Sequence, residues 1–246
     1  MKISGNRKPE TGNRTPVPQT NLQLYRAMRE QGHEESAIQQ ANEAWLLVAE
    51  STAGMFRGSG KPFACHLAGV SGLLCLAGQS STVVVAGILH AMYQDRVPFM
   101  GATRSLEARR RHLTEQFGAE CENLINDYHH FEVERLDAWS DRDLIDKGPV
   151  VLMRVADELE DMLDDAIELH GQPGDADDAR GGAVARRDKA LGLGPELKRA
   201  ARLLECDFLE QALDAHLARL STRSTPSAVR TGQYSSFSAR TAGTHE

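Results

Sequence analysis

Two strongly apolar segments lie close together near the middle of the chain, and each contains a single histidine. The first, FACHLAGVSGLLCLA at residues 63–77, contains His66, and the second, TVVVAGILHAMY at residues 82–93, contains His90. Both segments are too short to cross a bilayer as helices. Their nearly continuous apolar character instead predicts helices that are buried on most sides. The second is expected to be the central helix of a hydrophobic core.

The remaining pattern predicts an all-α fold, because no convincing strand and no internal repeat is present. Residues 1–19 and 221–246 lack apolar periodicity, and they are expected to form a flexible arm and a disordered tail. This leaves one helical domain over residues 20–220, with a polar loop or linker at 171–182. The predicted helices lie approximately at residues 21–31, 34–53, 62–77, 82–94, 105–117, 119–128, from 149 onward, and 195–220.

Composition and charge limit the kinds of partner that this chain can have. Hydrophobic residues make up 41% of its 246 residues, which is enough for a substantial core. The net charge of −7 argues against a nucleic-acid polymer as partner, whereas a local basic patch still allows a small anionic substrate. The chain shows no signal-peptide pattern, and its four cysteines have no zinc-site spacing. A cytoplasmic protein without a membrane partner is therefore predicted.

A metal site is the simplest common explanation for three polar side chains in apolar helices. Each histidine alone is more often a core side chain that is hydrogen-bonded to the backbone. Asp157 favours the metal site, since it lies between Val155 and Leu159, where a buried carboxylate needs a cation or several donors. Two imidazoles and one carboxylate suit a single Mn, Fe or Zn ion with open positions for water and substrate. His66, His90 and Asp157 are therefore the predicted ligands of one divalent metal ion.

Four segments resemble motifs of the HD-domain phosphohydrolases, specifically the hydrolase domain of the RelA/SpoT group of alarmone enzymes. FRGSGKPFACHL resembles the first metal motif, and VVVAGILHAMYQD resembles the His-Asp helix. EQFGAECENLI resembles the Phe-Gly helix, and MRVADELEDM resembles the element with the last ligand. The similarity extends over roughly residues 35–170. It implies an HD-like helical bundle that hydrolyses a phosphate or pyrophosphate ester, with a nucleotide as one class of small-molecule substrate.

The resemblance also implies roles for residues near the three ligands. Arg57 and Lys61 would face the nucleotide or its phosphates, although a solvated loop explains these two cations about equally well. Asp95 would act as the base or orienting group for water that the metal activates. Tyr93 is not shared with the hydrolases, and it is expected to line the substrate pocket.

Two substitutions separate this chain from the family pattern. Ala91 stands where the family has a ligand aspartate, and Gln94 stands where it has the glutamate of a catalytic pair. An amide cannot accept a proton as a general base, so Gln94 occupies a catalytic position without that ability. Negative charge is also added beside the last ligand by Glu158 and Asp161, which replace an arginine and an asparagine.

Three hypotheses about function follow from these observations. The retained ligands and cations favour a metal-dependent phosphohydrolase. The absence of the family's aspartate at Ala91 and of its glutamate at Gln94 favours a degenerate, non-catalytic module for ligand binding or interaction. The two-histidine, one-carboxylate set also suits a repurposed iron enzyme, although known HD-fold oxygenases generally use more histidines. The predicted helix at 195–220 has exposed faces that either pack within the chain or form a homodimer.

Overall fold

The computed structural model describes residues 16–57, 60–100, 105–163 and 182–222. Within these ranges the chain is helical and contains no strand, which confirms the predicted all-α class. An isolated bridge between Phe56 and Pro62 brings the two ends of the loop before the third helix together. The helices are α1 (Asn21–Glu30), α2 (Glu35–Ser51), α3 (Phe63–Leu76), α4 (Ser81–Leu89), α5 (Leu106–Phe117), α6 (Ala119–His129), a 3-10 helix (Val133–Ala138), α7 (Asp141–Asp146), α8 (Gly148–Leu163), α9 (Gly182–Leu203) and α10 (Asp207–Thr222).

The two apolar segments form α3 and α4, and these helices pack against each other in the core. Every residue of α4 from Val83 to Leu89 is buried, as expected for a central helix. α3 also contacts α1 and α8, while α4 contacts α2 and α6. The core thus brings the N-terminal half of the described chain against α8, which carries the predicted third ligand.

Side-chain caps explain where several helices begin. The hydroxyls of Thr20 and Ser80 accept hydrogen bonds from backbone N–H groups in the first turns of α1 and α4. Ser105 caps α5 in the same way, and Ser140 forms a capping box with Asp143 at α7. α1 and α4 begin within one residue of the predicted starts at residues 21 and 82.

The prediction that the central helix continues to about residue 94 is wrong. α4 ends at Leu89, and the chain then forms tight turns in which Met92 N–H donates to Leu89 and Gln94 N–H donates to Ala91. The carbonyl of Gly87 accepts a hydrogen bond from the imidazole of His90. A side chain therefore binds a carbonyl that would otherwise continue the helix.

The prediction of one last helix over residues 195–220 is also wrong. The segment forms parts of two helices, α9 and α10, and Pro195 lies inside α9 instead of opening it. The chain turns at Glu205, which has a positive φ of 53°. The N–H of Cys206 bonds back to Ala201, as at a glycine-type helix end. No glycine marks this turn in the sequence, which is why the pattern did not reveal it.

Other predictions fall partly or wholly outside the described residues. These are the arm over residues 1–15, the loop over residues 171–181 and the tail over residues 223–246. Within the described part of the arm, Pro18 is buried against Gly72 of α3. Among the helices that the structure describes, none is long and apolar enough to cross a membrane.

Candidate metal centre

The structure brings His66, His90 and Asp157 together from three elements that are distant in sequence. His66 lies in the first turns of α3, His90 follows the last residue of α4, and Asp157 lies in α8. Nε2 of His66 is 3.0 Å from Asp157 Oδ1, and Nε2 of His90 is 3.7 Å from the same oxygen. All three side chains are nearly excluded from solvent. The three predicted ligands therefore offer one donor atom each to a shared buried point.

The second ring nitrogen of each histidine is held by a partner outside this cluster. Nδ1 of His90 donates to the backbone carbonyl of Gly87 at 2.7 Å. Nδ1 of His66 is 2.5 Å from Oε2 of Glu160, a carboxylate in the next turn of α8. Histidines that bind metals usually have a carbonyl or carboxylate on the other nitrogen, which fixes the tautomer. Both rings are thus oriented with Nε2 toward Asp157.

The two carboxylate oxygens of Asp157 have different partners. Oδ2 accepts hydrogen bonds from the Tyr128 hydroxyl and from Nη1 of Arg154, the latter at 3.1 Å. The Arg154 guanidinium also lies 4.0 Å from the centre of the Tyr128 ring, which fixes both donors. Oδ1 faces the two histidines. The carboxylate is therefore positioned to offer a single oxygen to a cation.

The donor set fits a divalent metal ion. In the part of the chain that the structure describes, the fully buried Nε2 of His66 makes no well-aligned hydrogen bond, and the nearest carboxylate oxygen is Oδ1 of Asp157 at 3.0 Å. Two donors on one ion, each about 2.1 Å from it, lie roughly 3 to 3.5 Å apart, close to the observed 3.0 and 3.7 Å. When Nδ1 of His66 carries the only ring proton, the lone pair of Nε2 faces the Asp157 carboxylate, and a cation between them would satisfy both groups. The two imidazoles and one carboxylate match the preferences of Zn, Fe or Mn.

The surrounding charges shift the pKa values of the two histidines in opposite directions. Burial lowers the pKa of His66, but the carboxylates of Asp157 and Glu160 outweigh it and raise that pKa to about 9. For His90, burial dominates and lowers the pKa to about 4. Burial would raise the pKa of Asp157, but the adjacent histidines and Arg154 hold it well below its usual value. The metal-free site therefore contains a protonated His66 and a neutral His90 at neutral pH.

Each acidic residue in the 157–161 segment of α8 has a basic side chain beside it. Besides Asp157 with Arg154, the pairs are Glu158 with Lys189 at 3.3 Å, Glu160 with Lys61, and Asp161 with Arg57. The side chains of Arg57 and Lys61 are only 17% and 15% exposed, so these pairs are largely desolvated. The two predicted phosphate-binding cations are thus bound to carboxylates at the edge of the metal cluster.

A glycine of α3 makes room for the carboxylate beside His66. A Cβ atom at Gly69 would lie 2.4 Å from Oε1 and 2.7 Å from Cγ of Glu160. Real Cβ atoms do not approach other atoms this closely, and the Glu160 side chain is only 1% exposed. Gly69 is therefore required for the close contact between α3 and α8 at this point.

The other predicted site residues lie after α4. Ala91 and Tyr93 are buried, and the Tyr93 hydroxyl donates to Glu122 of α6 at 2.5 Å. Gln94 is half-buried and accepts a hydrogen bond from Arg96, whereas Asp95 is exposed. Among the described residues, neither Gln94 nor Asp95 bonds to the three ligands. Their catalytic role and the pocket-lining role of Tyr93 stay predictions.

Several functional candidates were not singled out from the sequence. Glu160 lies in a run of acidic residues, and Tyr128 and Arg154 are ordinary residues of amphipathic helices. Arg96 is a further case, because its guanidinium and that of Arg57 both lie within 6 Å of the Phe63 ring centre, at 5.6 and 5.7 Å. The contact between Arg154 and Asp157 had a signal in the sequence, because residues three apart lie on the same face of a helix.

A known protein family resembles the middle of the chain. A family model described as a domain of unknown function (DUF6817) matches residues 47–135. No match was found among curated proteins. The matched segment contains His66, His90 and Tyr128, but it ends before Asp157 and Glu160. The chain is therefore similar to this family over the part of the site that comes from α3, α4 and α6.

Proposed function

We propose that this protein is a metal-dependent hydrolase of a phosphate or pyrophosphate ester. The observation that carries the proposal is the convergence of Nε2 of His66, Nε2 of His90 and Oδ1 of Asp157 on one buried point. Their remaining polar atoms are already bound by Gly87, Glu160, and the pair of Tyr128 and Arg154. Side chains that are held in this way need little rearrangement to bind an ion.

The residues around the ligands supply complementary functions. A bound divalent ion would polarise a phosphoryl oxygen and lower the pKa of a coordinated water. Arg57 and Lys61 lie at the edge of the site and would neutralise phosphate charge after leaving Asp161 and Glu160. The buried aromatic rings of Phe63 and Tyr128 contact His66 and His90, and they limit the access of water to the ligands. Asp95 is the proposed residue that orients the attacking water.

Elemental analysis of protein purified without added metal tests the first part of the proposal. Near-stoichiometric Zn, Fe or Mn is expected in the wild-type protein, and Asp157→Ala should lose it. Glu158→Gln is the matched control, because this neighbouring carboxylate faces Lys189 instead of the histidines. Metal retained in Asp157→Ala, or absent from reconstituted wild-type protein, would contradict the site.

Activity assays test the second part. Pyrophosphate, nucleoside polyphosphates and simple phosphate monoesters are offered to the reconstituted protein. His66→Ala and Asp157→Ala should lose activity together with the metal, since both remove a ligand. Activity that survives in both variants would exclude a reaction at this centre.

A non-catalytic binding module is the second candidate, and one observation favours it. All four carboxylates at residues 157–161 have cationic neighbours, and Arg57 and Lys61 in turn have carboxylate partners. Such a cluster is electrostatically balanced without substrate. Metal-loaded protein that binds phosphate but turns over none of the offered esters would support this candidate over the hydrolase.

A further inference from the structure

Glu160 contacts two different cationic groups through its two oxygens. Oε2 lies 2.5 Å from Nδ1 of His66, and Oε1 accepts a hydrogen bond from Nζ of Lys61. Both side chains are largely buried, since that of Glu160 is 1% exposed and that of Lys61 is 15% exposed. Glu160 therefore connects the edge of the site, where Lys61 lies, to the back of the His66 ring.

The packing around Glu160 restricts the positions that its side chain can adopt. Gly69 provides the space for its side chain, and α3 and α8 are in direct contact there. Nδ1 of His66 also faces Asp161 at 3.5 Å, but that carboxylate is more exposed and is bound to Arg57. His90, in contrast, has the neutral carbonyl of Gly87 on its outer nitrogen. His66 is thus the imidazole with the negatively charged partner.

We propose that Glu160 is a positioning residue for His66, and that Lys61 limits how strongly its negative charge acts on that ring. This inference rests on the proposed metal site. A carboxylate on the outer nitrogen increases the electron density that a histidine donates to a metal ion. An ammonium group on the same carboxylate withdraws part of that charge. A phosphate group that attracts Lys61 therefore releases Glu160 to act fully on His66, and this links anion binding to tighter metal binding.

The first test is the affinity for Zn²⁺ alone in three variants: Glu160→Gln, Lys61→Met and the double variant. Each affinity is measured at several pH values and extrapolated to neutral histidine, so that competition by protons is removed. Glu160→Gln should weaken binding by roughly 10- to 100-fold, the usual effect of losing an outer partner. Lys61→Met should tighten binding several-fold, because Glu160 is no longer shared.

The double variant separates this mechanism from simple repulsion between Lys61 and the metal ion. If Lys61 acts through Glu160, Lys61→Met has no effect on Zn²⁺ affinity in the Glu160→Gln background. Equal tightening in both backgrounds would show direct repulsion and overturn the proposal. Unchanged affinity in Glu160→Gln would overturn it as well. Lys189→Met is the matched control: it removes the same charge from Glu158, and Zn²⁺ affinity should stay near that of the wild type.

Two further measurements keep the proposal testable if Glu160→Gln does not fold. Glu160→Asp keeps the charge on a shorter side chain, so its Zn²⁺ affinity should lie between those of the wild type and a neutral variant such as Glu160→Ala. Inorganic phosphate should tighten Mn²⁺ binding more in the wild type than in Lys61→Met, and equal tightening would contradict the link. Wild-type protein that binds no metal refutes the proposed function itself. If the wild type binds one ion but the effects of the two substitutions on Zn²⁺ affinity simply add in the double variant, only this inference is refuted.

Discussion

At the scale of single residues, the two oxygens of Asp157 have distinct environments. Oδ1 faces the histidines, while Oδ2 is bound by Tyr128 and Arg154. A carboxylate that is held on one side loses little conformational freedom when it binds an ion on the other. Tyr128 also contacts the His90 ring, with 4.9 Å between ring centres, so one aromatic side chain orients both Asp157 and His90.

We predict that Tyr128→Phe weakens Zn²⁺ binding by roughly tenfold, the effect of losing one outer hydrogen bond. The same change should cost about 1–3 kcal/mol of unfolding free energy, because it leaves a buried carboxylate oxygen with one donor fewer. Metal titration and urea unfolding measure the two effects. Tyr93→Phe removes a hydroxyl from Glu122 instead, so it should lower stability without changing Zn²⁺ affinity. An equal loss of affinity in both variants would show a general structural effect.

Metal binding should release about one proton per ion at neutral pH. The pKa of His66 is raised to about 9, so its imidazole is charged in the metal-free protein, whereas His90, with a pKa of about 4, is already neutral. A metal ligand must be deprotonated, so apparent affinity should rise about tenfold per pH unit up to pH 9 and then level off. Calorimetry in buffers with different ionisation enthalpies counts the protons. Binding without proton release would contradict a charged His66 that becomes a ligand.

The cluster of His66, His90 and Asp157 could be predicted from sequence, because each is a polar side chain between apolar neighbours. Glu160 could not be predicted in this way. It belongs to the acidic run DELED at 157–161, where a buried carboxylate and an exposed one look alike in sequence. The contact depends on Gly69, which lies more than ninety residues earlier and has no side chain to reveal the packing. Pairings across helices of this kind require the tertiary structure.

At the scale of helices, the contact between α3 and α8 determines whether the site can form. Gly69 and Gly192 are both helical glycines, but their surroundings differ. A Cβ atom at Gly69 would overlap Glu160, whereas one at Gly192 of α9 would meet no atom within 4 Å. The same substitution at the two positions therefore separates close packing from the general effect of helix propensity.

Gly69→Ala should destabilise the protein by about 1–3 kcal/mol through overpacking and should weaken Zn²⁺ binding as Glu160 moves. Gly192→Ala should be neutral or stabilising by up to about 1 kcal/mol, since alanine favours a helix more than glycine does. Urea unfolding of both variants, with metal titration of each, measures these effects. Wild-type stability and affinity in Gly69→Ala would mean that Glu160 does not need its observed position.

Helix boundaries were predictable where capping side chains define them, as at Thr20 and Ser80. They were not predictable where the backbone turns without a typical residue. Glu205 adopts a left-handed conformation that glycine usually provides, and the apolar periodicity continues through the turn. α9 and α10 consequently form a hairpin, with Gly194 packed against Leu217. Part of the surface of the predicted 195–220 helix therefore packs within the chain.

At the scale of the whole molecule, the site joins the segment that matches the DUF6817 family to a helix outside that match. His66 and His90 lie within residues 47–135, which match the DUF6817 family, whereas Asp157 lies beyond them in α8. α8 also contacts α9 and α10, so a metal ion at this site would link the matched segment to the C-terminal hairpin through one helix. The energetic consequence is that metal binding should stabilise the entire fold.

We therefore predict that Zn²⁺ at about 100 times its dissociation constant stabilises the protein by about 2.7 kcal/mol, because the ion binds the folded state preferentially. Thermal unfolding, followed with added Zn²⁺ and with chelator, should show this as a higher melting temperature. Asp157→Ala should lose the increase, while Glu158→Gln should keep it. If the melting temperature does not respond to metal, the protonated His66 and its surrounding carboxylates form a self-sufficient ionic cluster. The site would then contribute to stability in place of metal chemistry.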